Sequence, residues 1–229
     1  MRVAVLRYPG SNCDQDALFS IHDDLGLQAD YVWHESASLA GFDAVFVPGG
    51  FTYGDYLRCG AMAARAPIMA EVKRFATEGR PVIGVCNGFQ ILCEAGILPG
   101  ALMRNLAQKF SCKDVLLKAE NKKSIWTRGV EKTIRIPIAH GEGRYVADED
   151  TIKQMEDREQ IAFRYVNADN AIHEEANPNG SIHGIAGVLN EKGNVLGMMP
   201  HPERATSAKL GYQDGITILA GLKLVAANL

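Results

Sequence analysis

The chain has 229 residues, of which 47% are hydrophobic and 22% are charged, and its formal net charge is −3. A chain of this length can bury a large core in one domain, so we predict a single domain over residues 1–229. The slightly acidic balance argues against a nucleic-acid-binding protein. The sequence has no run of 18 apolar residues, which argues against a membrane span.

Strand and helix signals alternate through the first half of the chain. The predicted strands are 3–6, 29–33, 44–47 and 81–85, and the predicted helices are 17–25 and 68–76. Gly26 and Gly79 follow the two helical stripes and predict their ends. Apolar strands that alternate with helices indicate a parallel sheet covered on both faces.

Strand signals dominate the second half. The predicted strands are 115–117, 133–138, 161–166, 185–189 and 195–199. Residues 191–194 predict a hairpin turn between the last two strands, and an apolar stripe through Ile218, Leu222 and Val225 predicts a closing helix. We therefore predict one α/β domain, with an open, mostly parallel sheet flanked by helices and with antiparallel strands in the second half.

Five cysteines are present, at positions 13, 59, 86, 93 and 112, and no two of them form a C-x-x-C pair. An odd number of cysteines in a chain that is not small disfavours a disulfide framework and a structural zinc site. The N-terminal apolar run is too short for a signal peptide and predicts a strand. Together these features predict a cytoplasmic protein.

Cys86 is the candidate nucleophile. The stretch 84–88 joins a predicted strand to a predicted helix at 89–95, and a sharp turn of this kind exposes its central residue above the sheet edge. The helix N-terminus favours the reactive thiolate, which implies a covalent intermediate. The other four cysteines are interpreted as core residues, whereas glycines on both sides of Cys86 mark a special backbone.

Unusual residues follow several of the predicted strands, at 8–12, at 48–55, at Cys86 and at 200–203. Open parallel sheets bind ligands beyond the C-terminal ends of their strands, so these distant segments are predicted to meet at one edge. Taken alone, the pair Gly49-Gly50 fits a simple turn equally well.

His201 and Glu203 are the candidate base and the carboxylate that orients it. Pro202 disfavours helical backbone at His201, and an extended stretch points residues two apart to the same side. With a thiol nucleophile, they would complete a nucleophile, base and orienter set. His140 is the rival base, although its glycine-rich segment suits a substrate loop as well. No H-E-x-x-H motif or dense His/Cys cluster occurs, so no metal site is predicted.

These residues resemble the motifs of a known family. The stretch 84–90 (GVCNGFQ) with His201-Pro202-Glu203 resembles the class I, triad-type glutamine amidotransferases, and Pro48-Gly49-Gly50 resembles their oxyanion loop. The longer stretches 49–60 (GGFTYGDYLRCG), 138–145 (IAHGEGRY) and 199–204 (MPHPER) narrow the resemblance to a glutaminase subunit of de novo purine synthesis. The resemblance runs from Met1 to the C-terminal helix and implies a flavodoxin-like fold.

The resemblance implies a role for each member of the triad. Cys86 attacks the side-chain carboxamide of L-glutamine and forms a glutamyl thioester. His201 acts as base and then protonates the leaving ammonia, while Glu203 orients His201. Water then hydrolyses the thioester.

The resemblance also implies the substrate contacts. The backbone N–H groups of Gly50 and Asn87 hold the tetrahedral oxyanion, and donors so placed are worth roughly 2.7–4 kcal/mol each at the transition state. Gln90 occupies the family's glutamine-contacting position on the helix after the nucleophile.

A partner chain is expected to handle ATP. Transfer of ammonia to an amide requires activation of its oxygen, and the sequence has neither a G-x-x-x-x-G-K-[ST] loop nor a G-x-G-x-x-G fingerprint. The resemblance implies a large synthetase subunit that uses ATP and Mg²⁺, often a further small subunit, and direct passage of ammonia between active sites. No cofactor is expected in this chain, and neither nucleic acid nor membrane is expected as a partner.

Two other functions and a docking surface remain open at this point. The alternative enzyme is a cysteine hydrolase of the related elbow-bearing α/β type, and the non-catalytic alternative is a scaffold subunit with a relic pocket. Trp126 fits a solvated loop with a partly covered ring, or a partner contact. Tyr53, Asp55, Tyr56 and Arg58 are further docking candidates because they follow the oxyanion loop.

Overall fold

The computed structural model describes residues 1–226, in which one nine-stranded sheet dominates the fold. The strands are β1 Arg2–Arg7, β2 Gln28–Trp33, β3 Ala44–Val47, β4 Val82–Val85, β5 Ala101–Met103, β6 Ser111–Ala119, β7 Ile134–His140, β8 Arg144–Val146, β9 Ile161–Val166, β10 Ile185–Leu189 and β11 Val195–Met198. The helices are α1 Asp14–Phe19, α2 Ile68–Thr77, α3 Asn87–Glu94, α4 Glu149–Asp157, α5 Ile216–Leu219 and α6 Gly221–Ala226.

The sheet has a parallel half and an antiparallel half. Its order is β2-β1-β3-β4-β11-β10-β9-β6-β7, and β5 pairs separately with β8. The five strands from β2 to β11 are mutually parallel, whereas every pair from β11 through β10, β9 and β6 to β7 is antiparallel. The predicted fold class is confirmed, and the predicted hairpin joins β10 to β11 across the change from parallel to antiparallel.

The central strands place their C-terminal ends side by side. β4 lies between β3 and β11, and all its residues are buried, which suits a strand covered on both faces. Val82–Val85 pairs in register with Val195–Met198, so the residues that follow β4 and β11 emerge at the same edge. This register brings two sequence-distant segments together before any side-chain contact is considered.

Several predicted elements differ in detail from the structure. The predicted helix 17–25 is α1 followed by a π-helical turn, Ser20–Asp24, and the closing helix divides into α5 and α6. The short pair β5–β8 and the helix α4 had no predicted counterpart. None of the helices in the described part of the chain is long and apolar enough to cross a membrane.

Trp126 does not present a surface for docking. Its side chain is fully buried, and its Nε1–H group donates to the Asn194 carbonyl oxygen at 3.0 Å. The proposed partner contact at Trp126 is therefore wrong, because the ring and its only donor are both satisfied inside the fold. The assumption that the loop merely covers part of the ring is wrong for the same reason.

Candidate active site

Cys86 occupies a strained turn between β4 and α3. Its backbone has φ 52° and ψ −108°, a conformation that costs a residue with a side chain on the order of 1–3 kcal/mol. Its N–H group donates to the Met198 carbonyl oxygen at 2.8 Å, and its carbonyl oxygen accepts from the N–H of Phe89 at 3.0 Å. The flanking strand and the first turn of α3 therefore hold the strained residue in place.

The glycines around Cys86 have a steric cause. A Cβ atom on Gly84 would lie 2.7 Å from the Gly88 carbonyl oxygen, and a Cβ on Gly88 would overlap the Val47 carbonyl oxygen. No larger residue fits either position without moving the backbone of the elbow. The local sequence therefore produces the sharp strand-to-helix turn that was predicted from it.

His201 and Glu203 form a buried pair at the end of β11. The His201 Nδ1 atom lies 2.7 Å from the Glu203 Oε1 atom, and the two side chains are 2% and 0% exposed. The connection is a 3-10 turn, Pro202–Arg204, rather than the extended stretch assumed from the sequence. The predicted proximity of the two side chains holds, but a tight turn after His201 produces it.

The charges around His201 favour its protonated form. Burial opposes a positive imidazole, but the Glu203 carboxylate and nearby thiol groups outweigh burial and hold the pKa of His201 well above its ordinary value. Nε2 of His201 is buried and has no hydrogen-bond partner within residues 1–226. A charged imidazole whose Nε2–H group has no partner in the protein can stabilise a thiolate and later deliver its proton.

His140 lines the same cavity but is bound by neutral groups. Its Nδ1 atom lies 3.1 Å from Asn105 Oδ1, and its Nε2 atom lies 3.5 Å from Asn179 Nδ2. Burial, reinforced by the nearby His201, lowers the pKa of His140 to about 4. Both ring nitrogens face amide groups, so this arrangement favours His201 over His140 as the base.

The predicted oxyanion donors lie at the ends of β3 and β4. Within the described residues, neither the Gly50 N–H nor the Asn87 N–H donates a hydrogen bond to the protein. A Cβ atom on Gly50 would lie 2.8 Å from the Gly10 carbonyl oxygen, so the loop approaches its neighbour too closely for another residue. The Asn87 side chain adds a link that was not predicted, because its Oδ1 atom accepts the Thr52 N–H at 3.2 Å.

Gln90 connects α3 to the loop after β7. Its Oε1 atom accepts from Asn87 Nδ2 at 2.8 Å, and its Nε2 group donates to the Glu142 carbonyl oxygen at 2.7 Å. The side chain also lines the cavity in front of Cys86. These two hydrogen bonds hold the Gln90 side chain in the cavity wall. A contact between Gln90 and the substrate glutamine stays a prediction.

Four of the six predicted site residues line one cavity of about 320 Å³, whereas Glu203 and Asn87 lie behind its wall and contact it through His201 and Gln90. Its lining includes Cys86, His201, Gly50 and Gln90. His140, the rival base, also lines it, and further reactive or charged lining residues were not predicted as parts of the site: Cys13, Asp55, Cys59, Glu142 and Arg204. Burial raises the pKa of Asp55, and the neighbouring Glu142 carboxylate raises it further, against a hydrogen bond from Cys59. One end of the cavity is therefore acidic.

The interpretation of the remaining cysteines as core residues needs correction. Cys93 is partly buried and packs against the core, as predicted, whereas Cys112 is exposed. Cys13 and Cys59 are buried, but both belong to the cavity wall. The signal that separates Cys13 from a core residue is its position in the loop after β1, at the same sheet edge as Cys86.

Residues 1–212 match the sequence family described as the CobB/CobQ-like glutamine amidotransferase domain. The chain is 54% identical over 223 residues to phosphoribosylformylglycinamidine synthase subunit PurQ of Salinibacter ruber, covering 96% of this chain and 95% of that protein. It is similar to a chain in the structure of PurLQS from Thermotoga maritima, with 43% identity, a TM-score of 0.86 and 98% of each chain covered. A putative GMP synthase protein from Thermoplasma acidophilum shares only the fold, at 14% identity and a TM-score of 0.64, over 100% of this chain and 94% of that one.

Proposed function

Because the chain belongs to the CobB/CobQ-like glutamine amidotransferase family, we propose that it is the glutaminase subunit of a phosphoribosylformylglycinamidine synthase. The observation that carries this function is the cavity whose wall holds both Cys86, on its strained elbow, and His201, which is paired with the buried Glu203. The alternative of a cysteine hydrolase for other substrates has no support from the relatives. The buried His201–Glu203 pair beside the cavity of Cys86 also argues against a scaffold subunit with a relic pocket.

In the proposed reaction, the Cys86 thiolate attacks the carboxamide carbon of L-glutamine. The oxyanion that forms is held by the N–H groups of Gly50 and Asn87, neither of which is used within the protein. His201 gives its proton to the departing amine, and ammonia leaves as the carbonyl re-forms as a glutamyl thioester. Water, deprotonated by His201, then releases glutamate and restores the thiol, so one water is consumed for each ammonia formed.

Glu203 serves this reaction by fixing His201. The 2.7 Å contact to Nδ1 sets the tautomer of the neutral ring, so that the Nε2 lone pair faces the cavity. The same carboxylate stabilises the imidazolium that exists before each proton is delivered. Charge and orientation therefore come from one buried contact.

The ammonia is used by partner subunits. The PurLQS structure of Thermotoga maritima contains a close relative of this chain, and we place this chain in an assembly with a large synthetase chain and a further small subunit. In that assembly, ATP and Mg²⁺ bound by the large subunit would activate the amide of formylglycinamide ribonucleotide, which ammonia converts to formylglycinamidine ribonucleotide in de novo purine (IMP) synthesis. Ammonia released into water would mostly be protonated and lost, which favours direct transfer.

A cytoplasmic location is part of the proposal. All five cysteines are free thiols, and three of them, Cys13, Cys59 and Cys86, are buried. Free thiols in and around the cavity suit a reducing compartment, where a thiol nucleophile stays active.

Replacement of Cys86 tests the function. In the assembled complex, Cys86→Ala should abolish synthesis from glutamine, because no thioester can form, and should leave synthesis from added ammonium salt intact. The control variant is Cys112→Ala, which changes an exposed thiol and should retain both activities. If a Cys86→Ala complex that still assembles loses the ammonium-dependent activity too, or keeps the glutamine-dependent one, the assigned role is wrong.

A further inference from the structure

Cys13 is a second thiol beside His201, and no step of the proposed reaction uses it. The residue is 4% exposed, and its Sγ atom lies 3.2 Å from Arg204 Nη2. Donor atoms of Cys13, His201 and Glu203 all lie within 4.8 Å of one another. A Cβ atom on Gly49 would lie 3.0 Å from both Cys13 Sγ and His201 Cε1, so only a glycine there lets the thiol and the ring stand so close.

Two buried polar atoms of the His201–Glu203 pair have no hydrogen-bond partner among the described residues. His201 and Glu203 are only 1% and 2% exposed, yet the His201 Nε2 atom and the Glu203 Oε2 atom have no hydrogen-bond partner among residues 1–226. Cys86 lines the same cavity, and a Cβ atom on Gly49 would lie 3.4 Å from the Cys86 Cβ atom. Both cysteines therefore border the same part of the cavity wall as His201, whose Nε2 atom has no partner among the described residues.

This donor set has the chemistry of a zinc site. Zn²⁺ prefers thiolate sulfur and imidazole nitrogen, and sites with three protein ligands leave a fourth position for water. Zinc-binding histidines donate their other ring N–H to a carboxylate, which is the arrangement that Glu203 Oε1 makes with His201 Nδ1 at 2.7 Å. Tetrahedral geometry with Zn–S of about 2.3 Å and Zn–N of about 2.0–2.1 Å needs a sulfur–nitrogen separation of roughly 3.5 Å. Cys13 already belongs to the group of donor atoms within 4.8 Å, whereas Cys86 lies outside that group, so its side chain has to rotate towards His201 to join the site.

We propose that this corner binds Zn²⁺ reversibly through the sulfur atoms of Cys13 and Cys86 and the Nε2 atom of His201. The bound ion inhibits glutamine hydrolysis, because it occupies both the nucleophile and the nitrogen that transfers the proton. Binding depends on the donor atoms alone, whereas the inhibition rests on the proposed glutaminase function. The protons of the two thiols and the Nε2 proton of the His201 imidazolium are released to solvent as the two Zn–S bonds and the Zn–N bond form, and no redox change is involved.

Binding is measured on the full chain with Zn²⁺ in competition with a chromogenic chelator, and with Co²⁺ through its thiolate charge-transfer absorption. The wild-type chain should bind one ion at this site, and Cys13→Ser should weaken binding at least about tenfold. The matched control is Cys59→Ser, which removes another cysteine from the wall of the same cavity, next to two carboxylates. Cys59→Ser should leave the affinity unchanged, and a loss of affinity there instead of at Cys13→Ser would overturn the proposal.

Protection from alkylation tests the site without any substitution. Zn²⁺ should slow the reaction of iodoacetamide with both Cys13 and Cys86, as resolved by mass spectrometry, and should leave exposed Cys112 reacting at its usual rate. Protection of Cys86 alone would mean that Cys13 is not a ligand. If Zn²⁺ changes the alkylation rate of neither Cys13 nor Cys86, the proposal is also wrong.

Inhibition is measured in the assembled complex. Zn²⁺ should suppress synthesis from glutamine and spare synthesis from ammonium, and Cys13→Ser should raise the half-inhibiting concentration at least about tenfold. Equal loss of both activities would place the effect on the synthetase and refute inhibition at this site. If the Cys86→Ala test fails while Co²⁺ still gives the thiolate absorption, the glutaminase function is wrong and the metal site stands.

Discussion

His201 and His140 line one cavity, yet their surroundings drive their charges in opposite directions. Burial disfavours the protonated form of both rings. At His201, the Glu203 carboxylate outweighs burial and the pKa lies well above its ordinary value, whereas at His140 the partners are neutral amides and the pKa falls to about 4. A buried imidazole here carries a charge only where a carboxylate sits on its Nδ1 atom.

Removal of that carboxylate charge should have the largest effect. Glu203→Gln keeps a similar shape but removes the largest influence that opposes burial, so the pKa of His201 should fall and glutamine-dependent synthesis should drop on the order of 10²- to 10⁴-fold. Glutamine-dependent and ammonium-dependent rates of the assembled complex, with NMR titration of the His201 ring, measure the two effects.

The control for this substitution is Glu175→Gln, at an exposed carboxylate. It should leave both rates and the His201 titration unchanged. An active Glu203→Gln complex with an unshifted His201 would show that the carboxylate is not the source of the difference between the two rings.

The second prediction concerns stability and pH. The folded-state pKa of His140 is about 4 against an ordinary value of 6.5, so below pH 6.5 the unfolded chain takes up a proton that the folded chain refuses. Stability from this group is therefore present above pH 6.5 and is lost as the pH falls towards 4. The loss between pH 7 and pH 5 should be about 2 kcal/mol.

Denaturant unfolding of the wild-type chain and of His140→Gln at pH 7 and pH 5 measures this loss. The variant should lose about 2 kcal/mol less than the wild type over that range. His201 acts with the opposite sign, because its raised pKa adds stability that is present at low pH and is lost as the pH rises through its folded-state pKa. Equal losses in the two chains would mean that His140 takes up its proton without cost.

The smallest expected effect comes from giving His140 a carboxylate of its own. Asn105 Oδ1 lies 3.1 Å from His140 Nδ1, so Asn105→Asp should raise the pKa of His140 by about 1–3 units, as followed by NMR titration of the ring. Asn170→Asp, on an exposed turn, is the control and should not shift it. If Asn105→Asp leaves His140 titrating near 4, the absence of a carboxylate at its Nδ1 atom is not what separates its pKa from that of His201.

Features of the fold and site that depend on neighbours in the chain were predictable. The strands Ile161–Val166 and Ile185–Leu189 have the predicted bounds, because continuous apolar runs suit buried strands. The elbow at Cys86 was predictable because Gly84 and Gly88 mark the close backbone contacts. The helix α4 was missed because only Ile152 and Met155 of its side chains are buried, which leaves a weak apolar stripe.

The sequence by itself determined the α/β alternation, the elbow and the pairing of His201 with Glu203, since each follows from residues within a few positions of one another. Only the tertiary structure decided that Cys13 stands beside His201, that Trp126 is buried, and that His140 meets two amides. These facts depend on which strand ends the sheet order places side by side. That order follows from packing over the whole domain, which no local pattern of residues encodes.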